Sequence, residues 1–264
     1  MRKNYRILLI LCSFSLIVSS CGKKSLPEKE KGIAKEFTKE IIEEIPTPLI
    51  PLAPGELPFK KGETVTYRIK SLGINGGEAT LSFEGSKNYK GKEAYAIIFR
   101  ARAMNFFDEE RIYADPKTFY PMAVVRDLNI WGKKENITEE YDEGKGVITI
   151  TKLAGGITTT DTISKKGPID NIYCFIYRYR NSGTFKVGDS FLIHLPTKDI
   201  EMKSVKVMPL KVGGRTFEAF FLQSDPAKYK VWLDTSLKKI PLRINDAMGF
   251  NDTAMTMTQY KETE

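Results

Sequence analysis

The sequence predicts a mainly β fold, a large curved antiparallel sheet or open β-barrel of about a dozen strands with one or two helices. Short runs that alternate apolar and polar residues recur from Glu63 to the C-terminus. The links between these runs are short and rich in Gly, Asn, Asp and Pro, which is typical of antiparallel hairpins rather than β-α-β units. Because a flat sheet of that size is unfavourable, we expect the sheet to curve.

Residues 1–20 are predicted to be a lipoprotein signal peptide. Positive charges within the first six residues precede an apolar run that is too short for a membrane-spanning helix, which needs about 20 residues. The run ends in Val18-Ser19-Ser20 immediately before Cys21, which resembles the lipobox of bacterial lipoproteins. This resemblance implies cleavage between Ser20 and Cys21. The alternative is an ordinary signal peptide followed by a chance cysteine.

Cys21 is therefore the predicted lipid-attachment site and the predicted link to a membrane. By the same resemblance it carries three acyl chains, and two or more chains give stable anchoring. The expected location is the bacterial cell envelope. The periplasmic face of the outer membrane is favoured because Gly22, and not an aspartate, follows the cysteine.

Residues 21–56 are predicted to be a tether, and residues 57–264 the β-rich domain. Apolar residues at every fourth position from Ile33 to Ile45 predict a short amphipathic helix, lying on a membrane or a partner or packed on its own domain. Five prolines between Pro46 and Pro58 predict a stiff, extended spacer.

Within the domain, alternation and turn residues predict strands, with turns at Asn75-Gly76-Gly77 and at residues 89–92. The predicted strands are 64–71, 78–85, 94–102, 109–114, 121–129, 135–141, 147–153, 190–195, 201–208, 215–223, 229–233, 237–245 and 254–260.

Residues 170–180 interrupt this rhythm. Their Ile, Tyr and Phe content favours a strand, whereas Asp170 as an N-cap and Arg178 and Arg180 in a last turn favour a helix. Apolar residues at helical spacing from Ile172 to Tyr179 support the helix. We expect a helix that fills the concave side of the sheet.

Three segments resemble the family known as domain of unknown function 3108. They are YRIKSLGINGGEATL at 67–81, RIYADPKTFYP at 111–121, and VWLD with KIPL between 231 and 242. The resemblance covers residues 57–261 and implies an exported bacterial β-rich domain, without an established activity or catalytic residues to transfer. The architecture is also similar to the half-barrels of LolA and LolB, although fold does not settle function.

Few residues offer catalytic or metal chemistry. The only histidine is His194, and Cys174 is the only cysteine left after processing and acylation, so an intramolecular disulfide and multi-His or multi-Cys zinc sites are excluded by count. A Cys174–His194 dyad would require contact between the two side chains. A buried cysteine and an unrelated strand histidine are the commoner arrangement. No catalytic, cofactor-binding or metal residue is predicted.

Two acidic runs, 108–110 and 139–143, could supply the paired carboxylates of a glycosidase. Consecutive acidic residues on strands are more often solvated, and we expect that here. The formal charge is +8, but the Lys and Glu residues are scattered together along the chain and form no basic stripe. This distribution argues against a nucleic-acid partner. The larger aromatic residues are expected to be mostly core: Phe99, Phe106, Phe107, Phe119, Tyr120, Trp131, Phe175, Tyr177, Phe217, Phe220, Phe221 and Trp232.

The leading hypothesis is a non-enzymatic envelope lipoprotein that binds an amphiphile, a lipid or an envelope partner in the concave face of its sheet, where a helix can leave a pocket for acyl chains. The alternative is a structural or assembly-factor lipoprotein without a small ligand. A remote alternative is a hydrolase of envelope polymers. A concave face filled solidly by side chains would favour the assembly factor.

Overall fold

The computed structural model describes residues 56–71, 74–182, 186–246 and 253–263. In these ranges it contains fourteen strands, all in one antiparallel sheet, and one helix. The strands are β1 (Glu63–Ser71), β2 (Ile74–Tyr89), β3 (Lys92–Ala103), β4 (Phe106–Ala114), β5 (Pro121–Ile130), β6 (Lys133–Asp142), β7 (Val147–Ala154), β8 (Ile157–Ser164), β9 (Ser190–Leu195), β10 (Lys198–Val212), β11 (Arg215–Asp225), β12 (Lys230–Asp234), β13 (Pro241–Asn245) and β14 (Thr253–Lys261), and the helix is α1 (Ile172–Asn181). The predicted signal peptide, Cys21 and the amphipathic helix lie outside the described residues.

The sheet consists of two wings of hairpins that meet where β1 pairs with β14. One wing runs from β1 out to β8, and the other runs from β14 out to β9. Strands β8 and β9 therefore form the edges of the sheet. Strands that are consecutive in the chain are neighbours within each wing, as expected for short turns. The predicted fold, a curved open antiparallel sheet, is confirmed.

Three features differ from the prediction. Strand β8 was not predicted, because its sequence ITTTDTIS has no apolar–polar alternation, and nearly all of it is exposed. Residues Asn75-Gly76-Gly77 lie inside β2, where Asn75 and Gly77 pair with β1 on either side of a bulge at Gly76, so this predicted turn is wrong. Strand β13 begins at Pro241 rather than at residue 237, because the chain first turns through Lys239, whose φ is 45°.

Four of the hairpin links are two-residue turns in which both residues have positive φ. They are Lys90-Gly91, Trp131-Gly132, Gly155-Gly156 and Gly213-Gly214. This conformation is that of the type I′ turn, whose twist matches that of the flanking strands. Glycine accounts for six of the eight positions, and tryptophan is the bulkiest exception.

The predicted helix is confirmed as α1, with a different N-cap. Asn171 is the N-cap, and its Oδ1 accepts a hydrogen bond of 2.8 Å from the Tyr173 amide. The Asp170 carboxylate instead accepts hydrogen bonds from the Asn171 amide and the Arg178 guanidinium. The Asp170 carboxylate thus connects Arg178, in the last turn of α1, with the N-terminus of the helix.

Helix α1 occupies the centre of the concave face. The ring of Tyr173 stacks on Phe99 of β3 at 4.4 Å between centroids, and Tyr179 meets Phe191 of β9 edge-on at 4.6 Å. Its side chains are buried on nearly every side, including Cys174 and Ile176. The helix therefore joins the two wings into one core.

Candidate functional site

Beside α1, the concave face of β4, β5 and β6 keeps a strip of half-buried apolar side chains. Phe106 pairs with Ile130 at the end of the β4–β5 ladder, and Leu128 and Ile137 follow on the same face by the two-residue alternation of strands. We call these four residues the open strip. Phe106 packs against the core cluster that includes the side chains of α1, whereas Leu128, Ile130 and Ile137 lie outside that cluster.

A charged cluster lies next to the open strip on the same face. Asp108 and Glu110 of β4 lie opposite Leu128 and Arg126 of β5. Arg126 donates from Nε and Nη2 to the two carboxylate oxygens of Asp108, at 2.8 and 2.6 Å, and its Nε lies 3.5 Å from Oε1 of Glu110. Glu139 of β6 completes what we call the carboxylate cluster: Asp108, Glu110 and Glu139 around Arg126.

The cluster has more carboxylates than cations, and this affects its protonation. Burial raises the pKa of Glu110 to about 7, the Arg126 charge opposes the rise, and the negative charges of Asp108 and Glu139 add to it. Burial also raises the pKa of Glu139, against a 2.5 Å hydrogen bond from the Tyr141 hydroxyl and the charge of Arg126. Glu110 can therefore gain or lose a proton near neutral pH.

The first turn of α1 lies against the cluster. Burial raises the pKa of the Tyr173 hydroxyl, and the charges of Glu110 and Asp108 raise it further. The Asn171 side chain hydrogen-bonds to Glu110 and lowers the pKa of that carboxyl. The arrangement thus combines an apolar strip with hydrogen-bonding and titratable groups at its inner border.

The prediction that the acidic runs are solvated is wrong for the first run and for Glu139. Asp108 is 1% exposed and Glu109 is 4% exposed. Alternation directs Asp108 to the concave face, where Arg126 neutralises it, and Glu109 to the opposite face, where Arg100 and Arg111 donate to its carboxylate. Local sequence did not reveal this compensation because Arg126 and Arg100 lie on neighbouring strands, although Arg111 lies on β4 itself.

The structure gives Cys174 and His194 different partners. Burial raises the pKa of the Cys174 thiol, and the charge of Asp170 raises it further, which is opposite to what a cysteine nucleophile needs. Nδ1 of His194 lies 3.1 Å from Oδ1 of Asp199. The geometry favours the structural interpretation of both residues.

Within the described ranges, no group of three or more His, Cys, Asp or Glu side chains is placed to hold a metal ion. Helix α1, the helix described, is not long and apolar enough to cross a membrane.

One predicted core residue is instead exposed. Trp131 occupies the turn between β5 and β6 and is 70% exposed. The neighbouring glycine was the signal in the sequence that could have placed it at a turn rather than in the core.

Comparison with known proteins identifies one family. The family described as "Protein of unknown function (DUF3108)" matches residues 64–258. None of the curated proteins compared with the chain matches it.

Three solved structures share a distant similarity of fold. A β-barrel-like protein of domain of unknown function DUF1849 from Brucella abortus is 7% identical, with a TM-score of 0.40 over 76% of this chain and 98% of that one. A candidate exported protein with a YmcC-like fold from Bacteroides fragilis is 8% identical, with a TM-score of 0.28 over 78% and 98%. A candidate lipoprotein from Parabacteroides distasonis is 9% identical, with a TM-score of 0.27 over 78% and 97%.

Proposed function

Because the chain belongs to the DUF3108 family, whose function is unknown, we propose a role from its own residues: a non-enzymatic, lipid-anchored envelope protein that binds an amphiphile. The observation that carries the proposal is the open strip beside the carboxylate cluster. Ligand sites in proteins are mostly apolar, with a few polar groups that orient the ligand.

The chemistry of the site suggests how an amphiphile would lie. Its acyl chain would cover Leu128, Ile130 and Ile137, removing half-buried apolar surface from water. Its polar group would reach Glu110 and Glu139, which accept hydrogen bonds when ionised. Hydroxyl or amine groups are therefore better suited to this end of the strip than a phosphate.

Helix α1 limits the size of this site. Its side chains fill the centre of the concave face, so the ligand would lie along a shallow strip rather than inside a deep cavity. This filling is also the observation that favours the alternative role of an assembly or structural protein without a small ligand.

The lipobox supports the location in this proposal. Lipidation of Cys21 would hold the protein in the bacterial envelope, on the periplasmic face of the outer membrane, with residues 21–56 as the tether. The domain would then meet its amphiphile at a membrane surface.

Native mass spectrometry of residues 22–264, purified without detergent and followed by lipid extraction, tests the proposal. We expect an amphiphile of defined mass bound to the wild type. The variant Leu128→Ser/Ile137→Ser should lose it, because hydroxyl groups would interrupt the apolar strip.

The matched control is Leu153→Ser on β7, an exposed leucine outside the strip, which should retain the ligand. A wild-type protein without any bound amphiphile would contradict the proposal and favour the assembly role. Equal retention by the strip variant would place the ligand elsewhere.

The remaining alternative, a hydrolase of envelope polymers, has one supporting observation. Glu110, with a pKa of about 7, and the buried Glu139 could form an acid–base pair. Release of soluble sugars or peptides from purified envelope polymers by the wild type, and its loss in Glu110→Gln, would establish that role instead.

A further inference from the structure

Two neighbouring hairpin turns carry the most exposed large apolar side chains of the described residues. Met104, between β3 and β4, is 92% exposed, and Trp131, between β5 and β6, is 70% exposed. The Trp131 amide donates a hydrogen bond of 2.8 Å to the Asn105 carbonyl, which joins the two turns. We call the surface formed by residues 103–106 and 130–133 the paired turns.

The backbone at Trp131 is unfavourable for a tryptophan. Its φ is 54°, in the left-handed region, where a bulky residue is an outlier and where Asn or Gly serves a type I′ turn better. Neither burial nor backbone preference accounts for a tryptophan at this position. Strained residues with exposed side chains are often found at functional sites.

Cationic side chains border the paired turns. Arg102, Lys133 and Lys134 are exposed, and the guanidinium of Arg102 lies 5.0 Å from the ring centre of Phe107. Arg102 and Asn129 also line a depression of about 440 Å³ between the two turns. The surface therefore has an apolar tip, a cationic border and a recess that can accept a polar group.

We propose that the paired turns insert into the headgroup region of an anionic lipid bilayer. Tryptophan is enriched at the boundary between lipid and water, because its ring is apolar and its N–H is polar. Exposed Lys and Arg next to it would contact the phosphates of anionic lipids. This complementarity of charge and hydrophobicity is the reason for choosing a lipid surface over a protein partner.

Insertion would also bring the open strip to the membrane. Phe106 directly follows the Met104-Asn105 turn, and Ile130 directly precedes Trp131. The apolar strip would then begin next to the headgroup region, within reach of a lipid that leaves the bilayer. The insertion proposal stands on the exposed turns alone, so it can hold even if no amphiphile binds the strip.

Fluorescence of Trp131 tests the proposal directly. The chain contains two tryptophans, and Trp232→Phe would leave Trp131 as the only one. Residues 22–264 include every described element and lack Cys21, so an acyl anchor would not mask the turns. Vesicles of phosphatidylglycerol and phosphatidylethanolamine should shift the emission to the blue, and brominated acyl chains should quench it. Phosphatidylcholine vesicles should do so more weakly.

Co-sedimentation with the same vesicles measures the contribution of each group. Met104→Ser/Trp131→Asn should weaken binding by at least about tenfold, which corresponds to the loss of roughly one buried apolar side chain. Lys133→Glu/Lys134→Glu should remove the preference for anionic lipid. The matched control, Leu192→Ser, changes an exposed leucine on the edge strand β9 and should bind like the wild type.

The Asn substitution keeps the turn chemistry favourable, so the variant should unfold at no lower urea concentration than the wild type. Unchanged Trp131 emission with every vesicle, or equal sedimentation of the turn variant, would overturn the proposal. A blue shift with lipid-free envelope proteins but none with vesicles would identify a protein-docking surface and would also overturn it.

Discussion

At the scale of single residues, the main finding is that charged side chains of this sheet are buried in compensated groups. Asp108 is neutralised by Arg126 on the concave face, and Glu109 by Arg100 and Arg111 on the other. Burying a carboxylate is unfavourable unless it is paired or protonated. Burial raises the pKa of Glu110, and Arg126, whose Nε lies 3.5 Å from this carboxylate, opposes the rise without cancelling it.

Glu110 should make stability fall as pH rises. Its pKa in the folded protein, about 7, lies above its ordinary value of 4.5, so the folded state holds the proton more tightly between these values. Below about pH 4.5 the carboxyl is neutral in both states. Above pH 7 the folded protein carries the full cost of the buried Glu110 charge, which the charges of Asp108 and Glu139 increase and the charge of Arg126 partly offsets.

We therefore expect Glu110→Gln to raise the free energy of unfolding by about 1–3 kcal/mol more at pH 8 than at pH 5. Urea unfolding followed by circular dichroism at the two pH values measures this difference. The control Asp161→Asn changes an exposed acid on β8. A gain for Glu110→Gln that is equal at both pH values would contradict the assigned protonation.

At the scale of elements, α1 holds the two wings of the sheet together. Its last turn is fixed by Arg180, which is fully buried and donates to both carboxylate oxygens of Glu63 on β1, at 2.6 and 2.7 Å. Nε of Arg180 donates to the Lys238 carbonyl at 2.9 Å. The Tyr260 hydroxyl of β14 donates to the Glu63 carboxylate at 3.0 Å. One guanidinium thus connects the helix to β1 and to the turn between β12 and β13.

Arg180→Met should lower the free energy of unfolding by about 3–5 kcal/mol, because it leaves the Glu63 carboxylate buried without its cation. Thermal and urea unfolding measure the loss. The double variant Arg180→Met/Glu63→Leu should recover most of it, because no buried charge remains.

Lys145→Met is the matched control, since Lys145 pairs with Asp142 at the surface. It should leave the unfolding midpoint unchanged. If Arg180→Met unfolded like this control, the buried pair would not be the link between helix and sheet.

At the scale of the whole molecule, the described residues form a single sheet of fourteen strands around helix α1, and the edge strands of that sheet are β8 and β9. Exposed sheet edges invite pairing with other chains. The Thr-rich β8, with Asp161 at its centre, presents a polar edge. A polar edge of this kind disfavours pairing with the strands of other chains.

Attachment of the whole molecule to a membrane should depend on lipidation of Cys21. We expect Cys21→Ser to abolish metabolic labelling with a fatty acid, because serine has no thiol for lipid attachment. Labelling of the immunoprecipitated full-length chain measures this, with Cys12→Ser as the control that keeps the label. Persistent labelling of Cys21→Ser would refute the lipobox.

Sequence patterns were sufficient for local features, and tertiary contacts decided the rest. Alternation identified the strands that carry Val65, Ile97 and Ile112, and helical spacing with arginines in the last turn identified α1, because these preferences act within a few residues. The same logic missed β8, because its Thr run has no apolar–polar alternation and its strand conformation depends on backbone pairing with β7.

The sequence alone determined the β-rich class, a helix within residues 170–180 and the lipobox prediction, because each depends on neighbouring residues or on a short motif. Only the tertiary structure decided that Asp108, Glu110 and Glu139 share Arg126, and that Met104 and Trp131 project at one end of the sheet. Pairing between strands sets which side chains meet, and a shift of one residue would turn each to the opposite face. For this reason the candidate site follows from register rather than from any segment read by itself.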